Sequence, residues 1–213
     1  MTREGRVDSS DGEATAAGWP VRLRGVTESI VSTLGPNDRW NVAALGLHAP
    51  DDEDETVTAR TYGRTRTRGN FERRGGGVVQ FTVDPRTFVE AALAIEERSE
   101  AILPEADAWV EIEATRVGID HEGDTEIATW ELDPIESAVI AERVPTINRG
   151  FGAVIEATVA ASRLDVAAYD EGELLARLGR LAGTVDRCGG PREREAFARI
   201  DELTGWRDRN EPF

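Results

Sequence analysis

Between Arg60 and Arg74 stand six arginines and a single acid, Glu72, in a chain whose net charge is −16. A guanidinium offers forked N–H donors that match phosphate oxygens, and the interleaved hydroxyls of Thr65 and Thr67 can complete a cradle. The segment T-V-T-A-R-T-Y before them alternates, so Arg60 and Tyr62 share one face of a strand with Thr56 and Thr58. The chemistry this pattern points to is anion binding. A competing reading is a solvated arginine-rich edge, because the chain has no lysine and arginine must fill every cationic surface role.

Two strands upstream carry polar groups at their ends. Ser32 and Thr33 close T-E-S-I-V-S-T, while Asn41 and Val42 open W-N-V-A-A-L-G-L-H. Gln80 and Thr82 lie on a further strand, V-V-Q-F-T-V. Hydroxyls and an amide on two strand ends, followed by a basic segment, suit an aromatic ligand that carries a phosphate. Ser32 and Thr33 equally fit ordinary strand-end hydrogen bonding. Trp40 lies where it could flank a ring. A second anion-binding candidate is Asn148-Arg149-Gly150-Phe151-Gly152, a helix start beside an arginine. The favoured reading there is an Asn N-cap, with glycines that allow close packing.

Other catalytic schemes find little support. His48 and His121 show no metal-ligand spacing, and no G-x-S-x-G elbow is present. Gly75-Gly76-Gly77 has no Lys-Ser/Thr after it and reads as a turn, not a phosphate loop. Cys188 stands alone before Gly189-Gly190, in an expected interhelix loop, with no adjacent His or acid to activate it.

These residues need a β-rich scaffold to hold them. Strands are expected over 26–33, 40–48, 56–62 and 78–83, with the acidic loop 51–55 between the second and third. Asp84-Pro85 begins a helix by N-cap and first-turn proline, with Phe88, Ala91, Ala92 and Ile95 on one face. Residues 109–119 and 125–132 read as a hairpin turning at 120–124, and 137–144 as a further extended stretch. After Pro145 the pattern is helical over 150–163, 171–185 and 191–203. The sum is an α+β chain: a disordered tail over 1–18, a β-barrel of six to seven strands over 19–144, and a C-terminal helical subdomain over 145–213.

Composition bounds the setting. The chain has 213 residues, 41 acids against 25 basic residues, one cysteine and one methionine. Acidic excess without lysine resembles the proteins of extreme halophiles, in which dense carboxylates serve solvation. A single cysteine excludes an intrachain disulfide and fits a cytoplasmic protein. No apolar run approaches the ~20 residues that span a bilayer, so no membrane is expected.

The residues from Thr27 to Asn70 resemble the FMN-binding split barrels of the flavin reductase-like group. Within it they resemble the archaeal domain-of-unknown-function 447 family. The resemblance implies a split β-barrel that binds FMN, as a homodimer, with an oxidoreductase activity on a small-molecule redox substrate it does not specify. It implies that Ser32 and Thr33 approach the polar edge of the flavin ring and that Asn41 and Val42 present donors there. Arg60, Tyr62, Thr65 and Thr67 would hold the phosphate and ribityl chain, and Gln80 and Thr82 would form a polar pair near the cofactor. The chain departs from related reductases at Ala44, where they often carry proline, and in the arginine spacing before Asn70. Both departures bear on hydride transfer rather than on cofactor binding.

Two other classes remain. A small barrel with Arg60–Arg74, Tyr62 and Phe71 could take single-stranded nucleic acid, although the acidic total opposes approach to a polyanion. A cofactor-free scaffold would use its helices as an interaction surface.

Overall fold

The computed structural model describes residues 18–50 and 56–210. The expected tail, apart from Gly18, and the acidic loop 51–55 lie outside the described residues. The strands are Val26–Leu34 (β1), Trp40–His48 (β2), Thr58–Tyr62 (β3), Gly76–Phe81 (β4), Glu96–Arg98 (β5), Ala108–Glu122 (β6) and Thr125–Val139 (β7). The helices are Arg66–Arg74 (α1), Pro85–Leu93 (α2), Arg149–Ala161 (α3), Glu171–Cys188 (α4) and Pro191–Thr204 (α5).

Six strands pair in the order β1-β4-β6-β7-β3-β2, and β2 returns to β1, so the antiparallel sheet closes into a barrel. The short β5 adds to β2 at Trp40–Val42. Alternation decides what faces inward. Val31, Leu45, Leu47, Ala59, Val79, Val110, Ile112, Ala128, Trp130 and Leu132 fill the interior. At its centre the Trp130 Nε1–H donates to Thr61 Oγ1 at 3.0 Å, and the Phe71 ring meets Trp130 edge-on at 5.2 Å. Ser29 to Thr33 are buried on both faces, because the outer face of β1 and β2 is covered by α2. There Ile30 and Val42 pack with Phe88, Ala91 and Leu103.

The arginine-threonine run departs from expectation. It is a helix, α1, rather than an open segment. Thr65 caps it by accepting from the Arg68 N–H at 3.2 Å, and Gly75 ends it in the left-handed region at φ 72°. The helix has one large apolar residue, Phe71, which is why no amphipathic period announces it. The glycine turn is accordingly confined to Gly75, and β4 already runs from Gly76.

Helix α2 starts as Asp84 and Pro85 predict, with Asp84 Oδ1 accepting from the N–H of Arg86 and Thr87. It ends at Leu93, so Ile95 is not on its apolar face and stands 79% exposed. The hairpin is longer than its apolar pattern. Strands β6 and β7 pair from Ala108–Val139 to Glu122–Thr125, and residues 137–139 are the end of β7 rather than a separate strand.

The C-terminal helices form a second core of Ala153, Val154, Ala157, Leu175, Leu178, Phe197, Ile200 and Trp206. Val89 of α2 belongs to it, so α2 is shared: one side seals the barrel and the other packs on the helices. Arg199 of α5 locks onto Glu90 of α2 at 2.7 Å. Asn148 caps α3 by accepting from the Gly150 and Phe151 N–H groups, and Gly150 lies against the backbone of Cys188 and Gly189. Cys188 is the last residue of α4, not a loop residue.

Candidate functional site

Where α3 passes over the outer face of the barrel, a cleft of about 650 Å³ remains open. Three adjacent strands make its floor. Ala44, Gly46 and His48 come from β2, flanked by Val26 and Glu28 of β1 and by Arg60 and Tyr62 of β3. Glu28 is paired with Gly46 in the β1–β2 register, and Arg60 follows Ala59, which pairs with Leu47. Gly46 therefore lies between a carboxylate and a guanidinium. A Cβ there would meet only Val26 Cγ1 at 3.3 Å and Glu28 Oε2 at 4.0 Å, so the glycine leaves bare backbone where a flat ring can lie. Phe88 and Ala92 of α2 form one wall, and Thr158 and Val159 of α3 with its cap residue Ser162 the other. Arg163 and Tyr169, from the α3–α4 connection, stand at the mouth with the guanidinium 4.9 Å from the ring centre.

The cleft sets the charge of its floor. Desolvation, and then the charge of Arg60, holds His48 below its ordinary range, which favours the neutral imidazole. Desolvation, followed by repulsion from Glu156, pushes Glu28 above the usual carboxylate range, although its side chain still reaches solvent. Among the described residues no carboxylate lies within ion-pair distance of Arg60 or Arg163. Among the described residues, then, neither guanidinium is held in an ion pair, while the carboxylates of Glu28 and Glu122 also line the cleft.

Of the residues expected at a site, Arg60 and Tyr62 line this cleft. The others are placed elsewhere. Ser32 and Gln80 are buried together, with Gln80 Nε2 donating to Ser32 Oγ at 2.9 Å. Thr33 Oγ1 accepts from Asn70 Nδ2 at 2.9 Å. Asn41 and Val42 are buried on β2, paired with Thr33 and Ser32. Thr65 caps α1, Thr67 is buried on it, and Thr82 donates to the Glu105 carbonyl at 2.7 Å. The arginine run divides in the same way. Arg66 pairs with Glu97 at 2.7 Å, Arg68 with Glu72 and Glu126, and Arg74 with Asp38 at 3.4 Å. Only Arg60 of the run reaches the cleft.

Glu28, Gly46, His48, Thr158, Ser162, Arg163 and Tyr169 were not singled out as site residues. One of them had a local signal: Gly46 interrupts an otherwise apolar strand, which marks a close approach or an open floor. Among the described residues, no group of three His, Cys, Asp or Glu side chains could hold a metal ion.

Comparison with known proteins gives this architecture a family. Residues 27–141 match the model described as "Protein of unknown function (DUF447) N-terminal domain", and residues 148–202 match "Protein of unknown function (DUF447)". A crystal structure of an FMN-bound protein from Methanosarcina mazei, assigned to the same family, is 25% identical with a TM-score of 0.72. That match covers 85% of this chain and 96% of the other. The styrene monooxygenase flavin reductase of Pseudomonas putida matches at 10% identity and TM-score 0.41, over 57% of this chain and 93% of the other. Flavoredoxin from Methanosarcina acetivorans matches at 12% identity and TM-score 0.41, over 62% and 79%. The closed six-stranded barrel with C-terminal helices is a flavin reductase-like split barrel, and the chain belongs to the DUF447 family.

Proposed function

We propose that this chain is an FMN-binding flavoprotein and that the cofactor lies in the cleft between β2 and α3. The observation that carries the reading is the bare floor at Gly46, set between Glu28 and Arg60. A volume of about 650 Å³ falls within the roughly 300–1,000 Å³ of pockets that take cofactor-sized ligands. Ala44, Gly46 and Ala92 leave room for a flat ring, and Phe88 and Val159 give it apolar contact. Arg60, Tyr62 and Ser162 supply donors for polar edges and phosphate. The FMN-bound relative from Methanosarcina mazei supports the choice of ligand.

When bound, the cofactor would supply electron chemistry, and the protein would supply orientation and exclusion of water. An oxidoreductase activity follows as part of the proposal, with a small-molecule substrate still to be identified. The pairing of Arg66, Arg68 and Arg74 with carboxylates favours this reading over nucleic-acid binding, since it commits three of the run's six arginines to the protein's own acids. We place the barrel at 19–144 and the helical subdomain at 145–213, in a cytoplasmic, salt-adapted protein. A homodimer is part of the reading: Val144, 88% exposed, and the fully exposed Ile147 lie in the β7–α3 connection, where a second copy could cover them.

The test is a visible spectrum of protein purified in molar KCl, followed by titration of the flavin-free form with FMN. Released FMN, or saturable binding quenched in fluorescence, is the expected result. A colourless protein that does not bind added FMN would end the proposal.

A further inference from the structure

We infer that the cleft continues into a second subsite, built by Arg163, Arg177 and Arg180, that binds the phosphate end of a second small molecule. A cavity of about 470 Å³ lies beside the first, and Arg163 and Tyr169 line both. The stacked pair thus lines both the space over the β2 floor and the space beside α4. Describing this second molecule as the redox partner of the flavin rests on the flavin reading; the anion subsite itself does not.

Three arginines, Arg163, Arg177 and Arg180, line the second cavity. Arg177 and Arg180 are three residues apart on α4 and share one side of that helix. Arg177 is held by Glu156 of α3. Among the described residues, Arg180 and Arg163 have no carboxylate within ion-pair distance. The two acids of the lining are Asp170 and Glu173. Asp170 is committed to capping α4, its Oδ1 accepting from the Glu173 N–H at 2.8 Å. In a chain with 41 acids against 25 arginines, cations left unneutralised on one cavity are where an anion would be recognised.

Geometry favours phosphate. The Arg163 guanidinium lies 4.9 Å from the Tyr169 ring centre, a cation–π contact that limits its freedom, and a guanidinium fork matches two phosphate oxygens. Arg180, exposed on α4, offers a second fork. The volume exceeds what one phosphate needs, which suits an elongated molecule with its charged end at α4 and its body along the cleft.

The test titrates inorganic pyrophosphate into the full chain by calorimetry at fixed KCl, with and without saturating FMN. Saturable binding in both states is expected. The double variant Arg163→Gln/Arg180→Gln should raise the Kd for pyrophosphate at least tenfold, while Arg86→Gln, on the surface of α2, should leave it unchanged. Circular dichroism and the urea-unfolding midpoint of the double variant confirm that it folds. No pyrophosphate binding in either state would overturn the proposal. Binding abolished by saturating FMN would also overturn it, since the subsite would then hold the flavin's own phosphate. If FMN itself fails to bind, the titration of the flavin-free protein still decides the matter for Arg163 and Arg180.

Discussion

Gln80 and Ser32 meet inside the fold, where Gln80 Nε2 donates to Ser32 Oγ at 2.9 Å and to the Ala101 carbonyl at 3.0 Å. The Gln80 carbonyl oxygen in turn accepts from the Leu103 N–H at 2.6 Å. One amide thus satisfies three polar groups and ties β4 and β1 to the segment that follows β5. Gln80→Leu keeps the volume and orphans these partners. A buried unsatisfied group costs about 1–3 kcal/mol, so unfolding in urea should show a loss of at least that order. A variant as stable as the parent would mean that water or a rearranged neighbour replaces the amide.

The same pair explains how much was legible in advance. Polar residues on apolar strands look alike whether they serve a ligand or the core. Strand β2 was readable because Gly35-Pro36-Asn37-Asp38 and the acidic loop bound it, and α2 to α5 because caps and apolar periods agree along them. Helix α1 was hidden because it buries Phe71 and little else that is apolar. The hairpin strand was read about three residues short, with the turn over 120–124, because residues 115–122 are mostly exposed and lose the alternation of Val110, Ile112 and Ala114. At the cleft, alternation marked Arg60 and Tyr62. Arg163 and Tyr169 come from the α3–α4 connection, about 100 residues from Arg60 in sequence, and only tertiary packing brings them to β2.

The cleft floor makes a sharp prediction for cofactor binding. Gly46→Leu would place a branched side chain where the ring is proposed to lie, above a barrel interior it does not touch. FMN affinity measured by fluorescence quenching should fall at least tenfold, with little change in melting temperature. Arg60→Ala removes a charge-assisted donor and should weaken FMN binding by about 1–3 kcal/mol. Unchanged affinity in both variants would move the flavin out of this cleft.

The two titrating groups of the floor predict opposite pH effects on stability. Glu28 has its folded-state value raised above 4.5, so the fold keeps a proton that the unfolded chain releases. Its contribution therefore falls as pH rises from 4.5 through the raised value. Glu28→Gln should gain stability relative to the parent over that window and hold the gain at neutral pH. His48 has its folded-state value lowered below 6.5, so protonation favours the unfolded chain and stability falls as pH drops below 6.5. His48→Gln should flatten that limb. Urea unfolding at pH 4.5, 5.5, 7 and 8 reads both, and a Glu28→Gln difference that does not grow with pH would contradict the assignment.

Salt should stabilise this protein rather than weaken it. The net charge of −16 opposes compaction, while ion pairs such as Arg66–Glu97 and Arg74–Asp38 are at the surface, where each is worth about 0–1 kcal/mol. Raising KCl from about 0.1 M to 1 M shortens the Debye length from roughly 10 Å to 3 Å. Screening then removes long-range repulsion among the many unpaired carboxylates, at the cost of a few weak attractive pairs. The melting temperature followed by circular dichroism should rise across that interval. A flat or falling trend would show that the ion pairs outweigh the repulsion and that the acidic surface is not a salt adaptation.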